Sequence, residues 1–257
     1  MRLEGKSIIV TGSTTGIGKA IAKRCAAEGA QVLVHGLEAD LADETAAEIG
    51  DAAAVHVDDL LDEGTPARII DAAIKAFGKI DCLVNNAGIV AAGTIEETDG
   101  DFFDRVMGIN ARAPLFLIQN ALPHLRKTKG RVLNIGSVNA YSGEPNLVAY
   151  SMSKGAIMTM TRNLGDTLNR EEGIVVNQIN PGWILTENEI KRKQEHGLDA
   201  DWYKKLPPIF APSGRILYPE EIAEAAIYWL SDAAGPVSAQ VVEIAQIPFI
   251  GRNLPKN

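Results

Sequence analysis

Tyr150 and Lys154 lie four residues apart in the stretch AYSMSKGAIMTM, whose pattern is helical. On a helix that spacing puts both side chains on one face at neighbouring heights. A free phenol has a pKa near ~10 and keeps its proton at neutral pH. An ammonium held beside it favours phenolate and lowers that value. Tyr150 could then take a proton from a substrate hydroxyl or return one to a carbonyl. Ser137 ends the strand-like run RVLNIGS and can hydrogen-bond the same substrate oxygen. A tyrosine near a lysine on a helix is also a common surface pair, so the reading depends on what else the chain brings there.

A second feature is the run Thr11-Gly12-Ser13-Thr14-Thr15-Gly16-Ile17-Gly18, which follows the apolar Ser7-Ile8-Ile9-Val10 and opens a helical pattern. Glycines at a strand-to-helix turn aim free N–H groups at one point, and the helix dipole adds positive potential there. A phosphate is the implied ligand. The ATP-binding P-loop is excluded, because Gly18-Lys19 is followed by Ala20 and Ser13 stands five residues before Gly18. The G-x-G-x-x-G dinucleotide spacing is not matched either, the order here being G-x-x-x-G-x-G.

The elements that must position these groups alternate. Strand-like runs cover 7–12, 31–36, 53–57, 80–86, 131–137, 173–180 and 239–245, and helical patterns lie near 17–28, 39–49, 62–77, 101–126, 149–169 and 219–231. Asp62, Asp101 and Pro219-Glu220 supply start signals, and Gly29, Gly50, Gly78 and Gly130 supply stops. Continuous apolar strands alternating with helices predict an α/β doubly wound parallel sheet, a Rossmann-type fold, in one domain spanning 1–257. The segment 183–218 breaks the rhythm with a charged helical pattern and a proline-rich end. At the carboxyl end of a strand it reads as a lid, with a subunit-contact excursion as the alternative.

Composition excludes several classes. The 257 residues carry 25 basic and 33 acidic side chains, a net charge of −8, with no basic run to grip nucleic acid. No apolar run approaches the ~20 residues a membrane crossing needs. The opening MRLEGKSIIV shows no signal-peptide pattern, so a cytoplasmic protein is expected. Cys25 and Cys82 have no metal-ligand spacing and read as buried free thiols; no metal site is expected.

The chain resembles the short-chain dehydrogenase/reductases from about Leu3 to Val242. The resemblance is carried by TGxxxGIG at 11–18, Asn85-Asn86-Ala87-Gly88, Asn110, Ser137, the YxxxK pair Tyr150/Lys154, and Pro181-Gly182 with Thr186 beyond. It implies an oxidoreductase that interconverts a secondary alcohol and a ketone. Tyr150 would be acid/base, Ser137 would polarise the carbonyl, Lys154 would also hold the nicotinamide ribose, and Asn110 would kink its helix and anchor a water. The cofactor would lie along Gly12, Ser13, Thr14, Thr15, Gly16, Ile17 and Gly18, past Leu37, with Asp59 at the adenine amino group and Leu60 beside the ring; Asp58 competes with Asp59. Asn86, Ala87 and Gly88 would pass the ribose, and Pro181, Gly182, Ile184 and Thr186 would hold the carboxamide.

In this family NADP binders usually carry a basic residue where Thr15 or Leu37 stands, so NAD is expected, with NADP the alternative; the ribose-gripping acid is also absent at Gly36, with only Glu38 near. The substrate pocket is expected to include Ser137, Asn139, Asn146, Tyr150 and Trp183, with Glu144 nearby. Their polar groups and the flat indole suit a sugar- or polyol-like molecule, though Lys191 and Arg192 could meet a carboxylate. Alternatives are a 3-oxoacyl or other carbonyl reductase, an epimerase or dehydratase, or a non-catalytic dinucleotide-binding regulator. A homotetramer is implied. The family's Asp-Gly-Gly turn is replaced by Ala245-Gln246-Ile247, and the tail 246–257 is expected either to reach a neighbouring subunit or to fold on its own core.

Overall fold

The computed structural model describes residues 1–141, 143–195 and 197–246. Seven strands form one parallel sheet: β1 (Ser7–Val10), β2 (Gln31–Gly36), β3 (Ala53–Val57), β4 (Cys82–Asn85), β5 (Arg131–Ile135), β6 (Val175–Pro181) and β7 (Val241–Ile244). Their order is β3-β2-β1-β4-β5-β6-β7, a doubly wound Rossmann-type arrangement. The chain reverses direction of progress between β1 and β4. A crevice opens there, outside the carboxyl ends of the strands.

Helices cover both faces, which is why most strand positions are apolar: α1 (Gly16–Ala27), α2 (Ala39–Ile49), α3 (Thr65–Phe77), α4 (Gly100–Met107), α5 (Ala113–Thr128), α6 (Val148–Glu172) and α8 (Pro219–Leu230), with α7 (Glu187–Glu195) set outside them. Along β1, Ile8 and Val10 join Ile21 of α1 and Ile227 of α8 in one core, while Ile9 joins Ile69 of α3 and Leu117 of α5 in the other. The period-two alternation thus feeds two separate cores. Cys25 and Cys82 are free and fully buried, and burial pushes both thiols up, Cys82 to about 12.

Several helix ends differ from the sequence reading. Asp99, not Asp101, caps α4, accepting the Phe102 N–H at 2.8 Å. The helix α3 starts at Thr65 rather than near 62, because Asp62 accepts the Gly64 N–H at 2.8 Å and so shapes a preceding turn. At the end of α5 the left-handed residue is Lys129 (φ 48°), not Gly130. Gly130 is needed for close packing instead: a β-carbon there would stand 2.6 Å from the Asp81 carbonyl oxygen.

The helix read as 101–126 is broken. Between α4 and α5 lies a π-helical turn, Gly108–Arg112, centred on Asn110. Pro114 has no N–H to give the carbonyl four residues earlier, which is that of Asn110.

The segment 183–218 holds α7, on which no residue is buried, and a short 3₁₀ turn, Trp202–Lys204. Its base is stitched where Leu185 N–H donates to the Leu217 carbonyl at 2.8 Å. Gln246 braces the same region, accepting from the Ser213 N–H at 3.1 Å and hydroxyl at 2.7 Å. The tail reading falls almost wholly on 247–257, outside the described residues.

Candidate active site

The glycine turn is built to receive an anion. Thr15 stands extended at the N-cap of α1 (φ −145°, ψ 166°), its hydroxyl makes no capping bond, and the first turn carries no acidic side chain. The N–H groups and positive dipole end of α1 are therefore unneutralised by the chain itself. Gly16 adopts φ +53°, where an L side chain is strained. Gly18 is held by approach: a β-carbon would lie 2.1 Å from the Gly12 carbonyl oxygen and 2.3 Å from Asn86 Nδ2. Asn86 is spent on the turn, its Nδ2 donating to the Thr11 and Gly12 carbonyls at 3.0 and 2.9 Å. Thr11 Oγ1 accepts the N–H groups of Asn86 and Ala87 at 3.1 and 3.2 Å. Behind the turn His35 is 2% exposed, and burial pushes its pKa down to about 4. Neutral, its Nδ1 accepts the Gly12 N–H at 3.4 Å.

Ser137 follows β5 directly and caps a 3₁₀ turn, Val138–Ala140, its Oγ accepting the Asn139 N–H at 3.1 Å. Tyr150 and Lys154 stand in the first two turns of α6 and are 8% and 5% exposed. The Tyr150 ring centre lies 5.7 Å from Lys154 Nζ, so the two share a face as their spacing requires. Lys154 Nζ donates to the Ile135 carbonyl at 3.0 Å, and burial pulls its pKa down to about 8. The phenol pKa is raised, chiefly by burial; the Ser137 hydrogen bond and Arg192 oppose that rise, while Glu144 and Glu189 add to it. The lowering expected from Lys154 is thus not what dominates here, because its ammonium is turned toward Ile135.

Asn110 ties this group to the cofactor side. Its Oδ1 accepts the Ile89 N–H at 2.9 Å, and its Nδ2 donates to the Ile89 carbonyl and to Ser153 Oγ, both at 3.0 Å. Ser153, which the sequence reading passed over, donates to the Tyr150 carbonyl at 2.6 Å. A β-carbon on Gly88 would lie 3.2 Å from Asn110 Oδ1 and 3.5 Å from Lys154 Nζ. The glycine turn, the 85–88 segment, Asn110, Ser137, Tyr150 and Lys154 are therefore one connected site.

A family model described as enoyl-(acyl carrier protein) reductase matches residues 12–245. Glucose 1-dehydrogenase 2 of Bacillus subtilis is 38% identical over 245 residues, covering 92% of each chain. Meso-2,3-butanediol dehydrogenase of Serratia marcescens is 31% identical over 256 residues, covering 98% of this chain and 95% of its own. The crystal structure of 3-ketoacyl-(acyl-carrier-protein) reductase from Brucella melitensis, complexed with NADH, superposes with a TM-score of 0.84 at 31% identity, covering 94% of this chain and 97% of that one. The chain belongs to the short-chain dehydrogenase/reductase family. It is an NAD(P)-dependent oxidoreductase acting on CH–OH groups.

The residues present fit the family's dinucleotide, since the open α1 N-terminus and its side-chain-free glycines would seat a diphosphate. At the adenosine end the expected residues separate. Leu37 is 57% exposed, but Leu60 is only 6% exposed and packs with Ile9, Leu33 and Ile69 in the core, where an apolar side chain gains most. Asp58 is taken by Arg68 (Oδ2 to Nε 2.6 Å) and Thr65, whereas Asp59 accepts only local N–H at Leu61 and is exposed. Ile184 is likewise core, paired with Leu217. Thr186 comes onto the turn: a β-carbon on Gly16 would meet its Cγ2 at 3.1 Å. Asn188 Nδ2 donates to Thr15 Oγ1 at 3.3 Å, a contact between α7 and the turn that sequence reading missed.

On the substrate side Asn139 is buried and Asn146 exposed, its carbonyl accepting the Gly93 N–H at 2.8 Å. Trp183 does not stand as a free flat wall. It stacks on Trp202 (centroids 5.3 Å, 23°), meets the edge of Phe210, and has Lys193 Nζ 5.3 Å from its ring centre. Its Nε1 donates to Glu189 Oε1 at 2.8 Å, and Glu189 Oε2 takes the Arg192 guanidinium at 2.9 and 2.7 Å. An i, i+3 acid–base pair in a charged helix was the available signal for that contact. Its reach to an indole four residues before the start of α7 was not.

Proposed function

We propose that this chain interconverts a secondary alcohol and a ketone on a small hydroxylated, sugar- or polyol-like substrate, using NAD. The observation that carries the reading is the convergence of the Tyr150 phenol, Ser137 Oγ and buried Lys154 beside the open N-terminus of α1. The nicotinamide, when bound, supplies or accepts the hydride. Tyr150 passes the proton to or from the substrate oxygen, Ser137 hydrogen-bonds that oxygen, and Lys154 holds the ribose hydroxyls and positive potential beside the phenol. Asn110 keeps the 88–89 backbone and α6 in register.

Similarity to glucose and 2,3-butanediol dehydrogenases supports a hydroxylated substrate, as do Asn139, Glu144 and Asn146 along the approach. NAD is favoured because no cation stands at Thr15, Leu37 or Glu38 to meet a 2′-phosphate. Thr14 also fills the space over Gly36, where a β-carbon would come within 2.4 Å of its Cγ2. Measuring kcat/KM with both cofactors decides this point; a tenfold preference for NADP overturns it.

Reduction of a 3-oxoacyl or other carbonyl substrate is the second reading, favoured by the phenol's raised pKa, since a group holding its proton is ready to donate it. A panel of aldoses, polyols, 3-oxoacyl thioesters and steroids separates the two. Turnover of polyols or aldoses supports the first; turnover confined to thioesters and steroids removes it. A cytoplasmic homotetramer, implied by the family resemblance, completes the proposal. A monomeric mass in solution rules the tetramer out.

A further inference from the structure

Strands of a two-faced parallel sheet should be apolar where helices cover them, and here three neighbouring strands are not. Asn85 of β4 lies opposite Asn134 of β5, which lies opposite Gln178 of β6. The three side chains are 2%, 0% and 0% exposed. They are joined: Asn85 Nδ2 donates to Asn134 Oδ1 at 2.8 Å, and Asn134 Nδ2 donates to Thr161 Oγ1 at 2.8 Å. The Thr161 hydroxyl, carried in from α6, donates to Gln178 Oε1 at 2.7 Å. Gln178 Nε2 donates to Asn180 Oδ1 at 2.6 Å, and that same oxygen accepts the backbone N–H of Ser137 at 3.1 Å.

This chain of amides runs from the strand that leads into Asn86-Ala87-Gly88 to the residue whose hydroxyl meets the phenol. Gly136 makes room for its last link, since a β-carbon there would stand 2.1 Å from Asn180 Oδ1 and 2.3 Å from Gln178 Nε2. Polar groups buried at this depth are costly unless they find partners, and among the described residues the interior links of this chain are paired while its two ends, Asn85 Oδ1 and Asn180 Nδ2, are not. With Nδ2 unpaired among the described residues, the Asn180 side chain acts through its oxygen.

We propose that Asn180 is a positioning residue that fixes Ser137 in the active site, as the last member of this buried amide chain across β4, β5 and β6. The inference rests on the proposed role of Ser137. With its N–H held by Asn180 and its Oγ capping the Val138–Ala140 turn, Ser137 is restrained from two sides. Loosening the N–H side lets the hydroxyl drift from the substrate oxygen while the cofactor turn, on other strands, stays as it is.

The test is a double-mutant cycle with Asn180→Leu and Ser137→Ala, assayed on the alcohol that the wild type oxidises fastest among 2,3-butanediol, glucose and sorbitol. Asn180→Leu should cut kcat at least tenfold and leave the Kd for NADH within twofold. In the Ser137→Ala background it should cost less than a further twofold, because the group it positions is gone. Asn180→Asp, which keeps the accepting oxygen, should retain at least fivefold more kcat than the leucine variant. An unchanged kcat in Asn180→Leu, or a loss carried in full into the Ser137→Ala background, overturns the proposal.

Should the leucine variant not fold, Gln178→Met removes the neighbour that orients Asn180 and should give a smaller, equally non-additive loss. Amide hydrogen exchange at Ser137 reads the bond without any substrate. It should be faster in Asn180→Leu than in Asn180→Asp, and equal rates would also sink the idea. If no alcohol of the panel is turned over, the functional reading fails while the exchange measurement still decides this one.

Discussion

The β5–α6 side of the site and the segment 183–218 that overhangs it are built on opposite plans. Ser137, Tyr150 and Lys154 are at most 9% exposed, and each is carried by, or directly follows, a strand or helix locked into the sheet. In the overhanging segment α7 buries none of its residues, and side chains meet one another: Trp183 stacks on Trp202, and Glu189 pairs with Arg192. Chemistry placed on rigid elements keeps its geometry, whereas a surface segment can change its side chains without disturbing the fold. The difference teaches that reaction and selectivity are separable here. Substitutions on the first side should act on kcat, and those on the second on KM.

The sharpest of the ways to break this division is Lys154→Met. It should lower kcat by about 10²–10⁴-fold, the scale of a lost proton-transfer partner. It should also stabilise the fold. Burial lowers the Lys154 pKa from 10.5 to about 8, so the unfolded chain binds more protons between those values and stability rises with pH through that window. At pH 7 the buried charge costs roughly 3 kcal/mol by that shift, and removing it should raise Tm. A fall in both kcat and Tm would show that the lysine is structural.

Gly18→Ala comes next. Its β-carbon has no room beside the Gly12 carbonyl, so the turn must shift, raising the NADH Kd at least tenfold and costing roughly 1–3 kcal/mol. Unchanged affinity in an isothermal titration would place the diphosphate elsewhere. On α7, Glu189→Gln breaks the pair with Arg192 and should raise substrate KM about threefold to tenfold with kcat within twofold. A kcat effect larger than the KM effect would erase the distinction between the two regions. The smallest change is with pH: because the phenol pKa is raised, alcohol oxidation should still be climbing at pH 9 while ketone reduction keeps its rate there. A flat profile for oxidation would mean that the phenol does not gate it.

The alternation of strands and helices, the sheet class and the meeting of Tyr150, Lys154 and Ser137 follow from periodicity and spacing, because those features repeat along the chain and are local. What escaped were contacts between distant segments. Asn134 and Gln178 sit in runs that read as apolar strands, and only the register across β5 and β6 reveals that they face one another. The kink at Asn110 was expected from family resemblance, yet its local cause, Pro114, was on the page as a residue type. Leu60 and Ile184 went to the core because burial outweighs a place at the rim, and Trp183 turned its face to Trp202 for the same reason. The direction of the Tyr150 shift was missed because spacing shows that a lysine is near but not where its ammonium points.

The central claim is that Tyr150 moves the proton while other residues hold the cofactor, and Tyr150→Phe measured in parallel for turnover and NADH binding tests it most directly. The account predicts a loss of kcat of about 10²–10⁴-fold with the NADH Kd within twofold of wild type. Turnover that survives within tenfold, in a variant that still binds NADH, would contradict it.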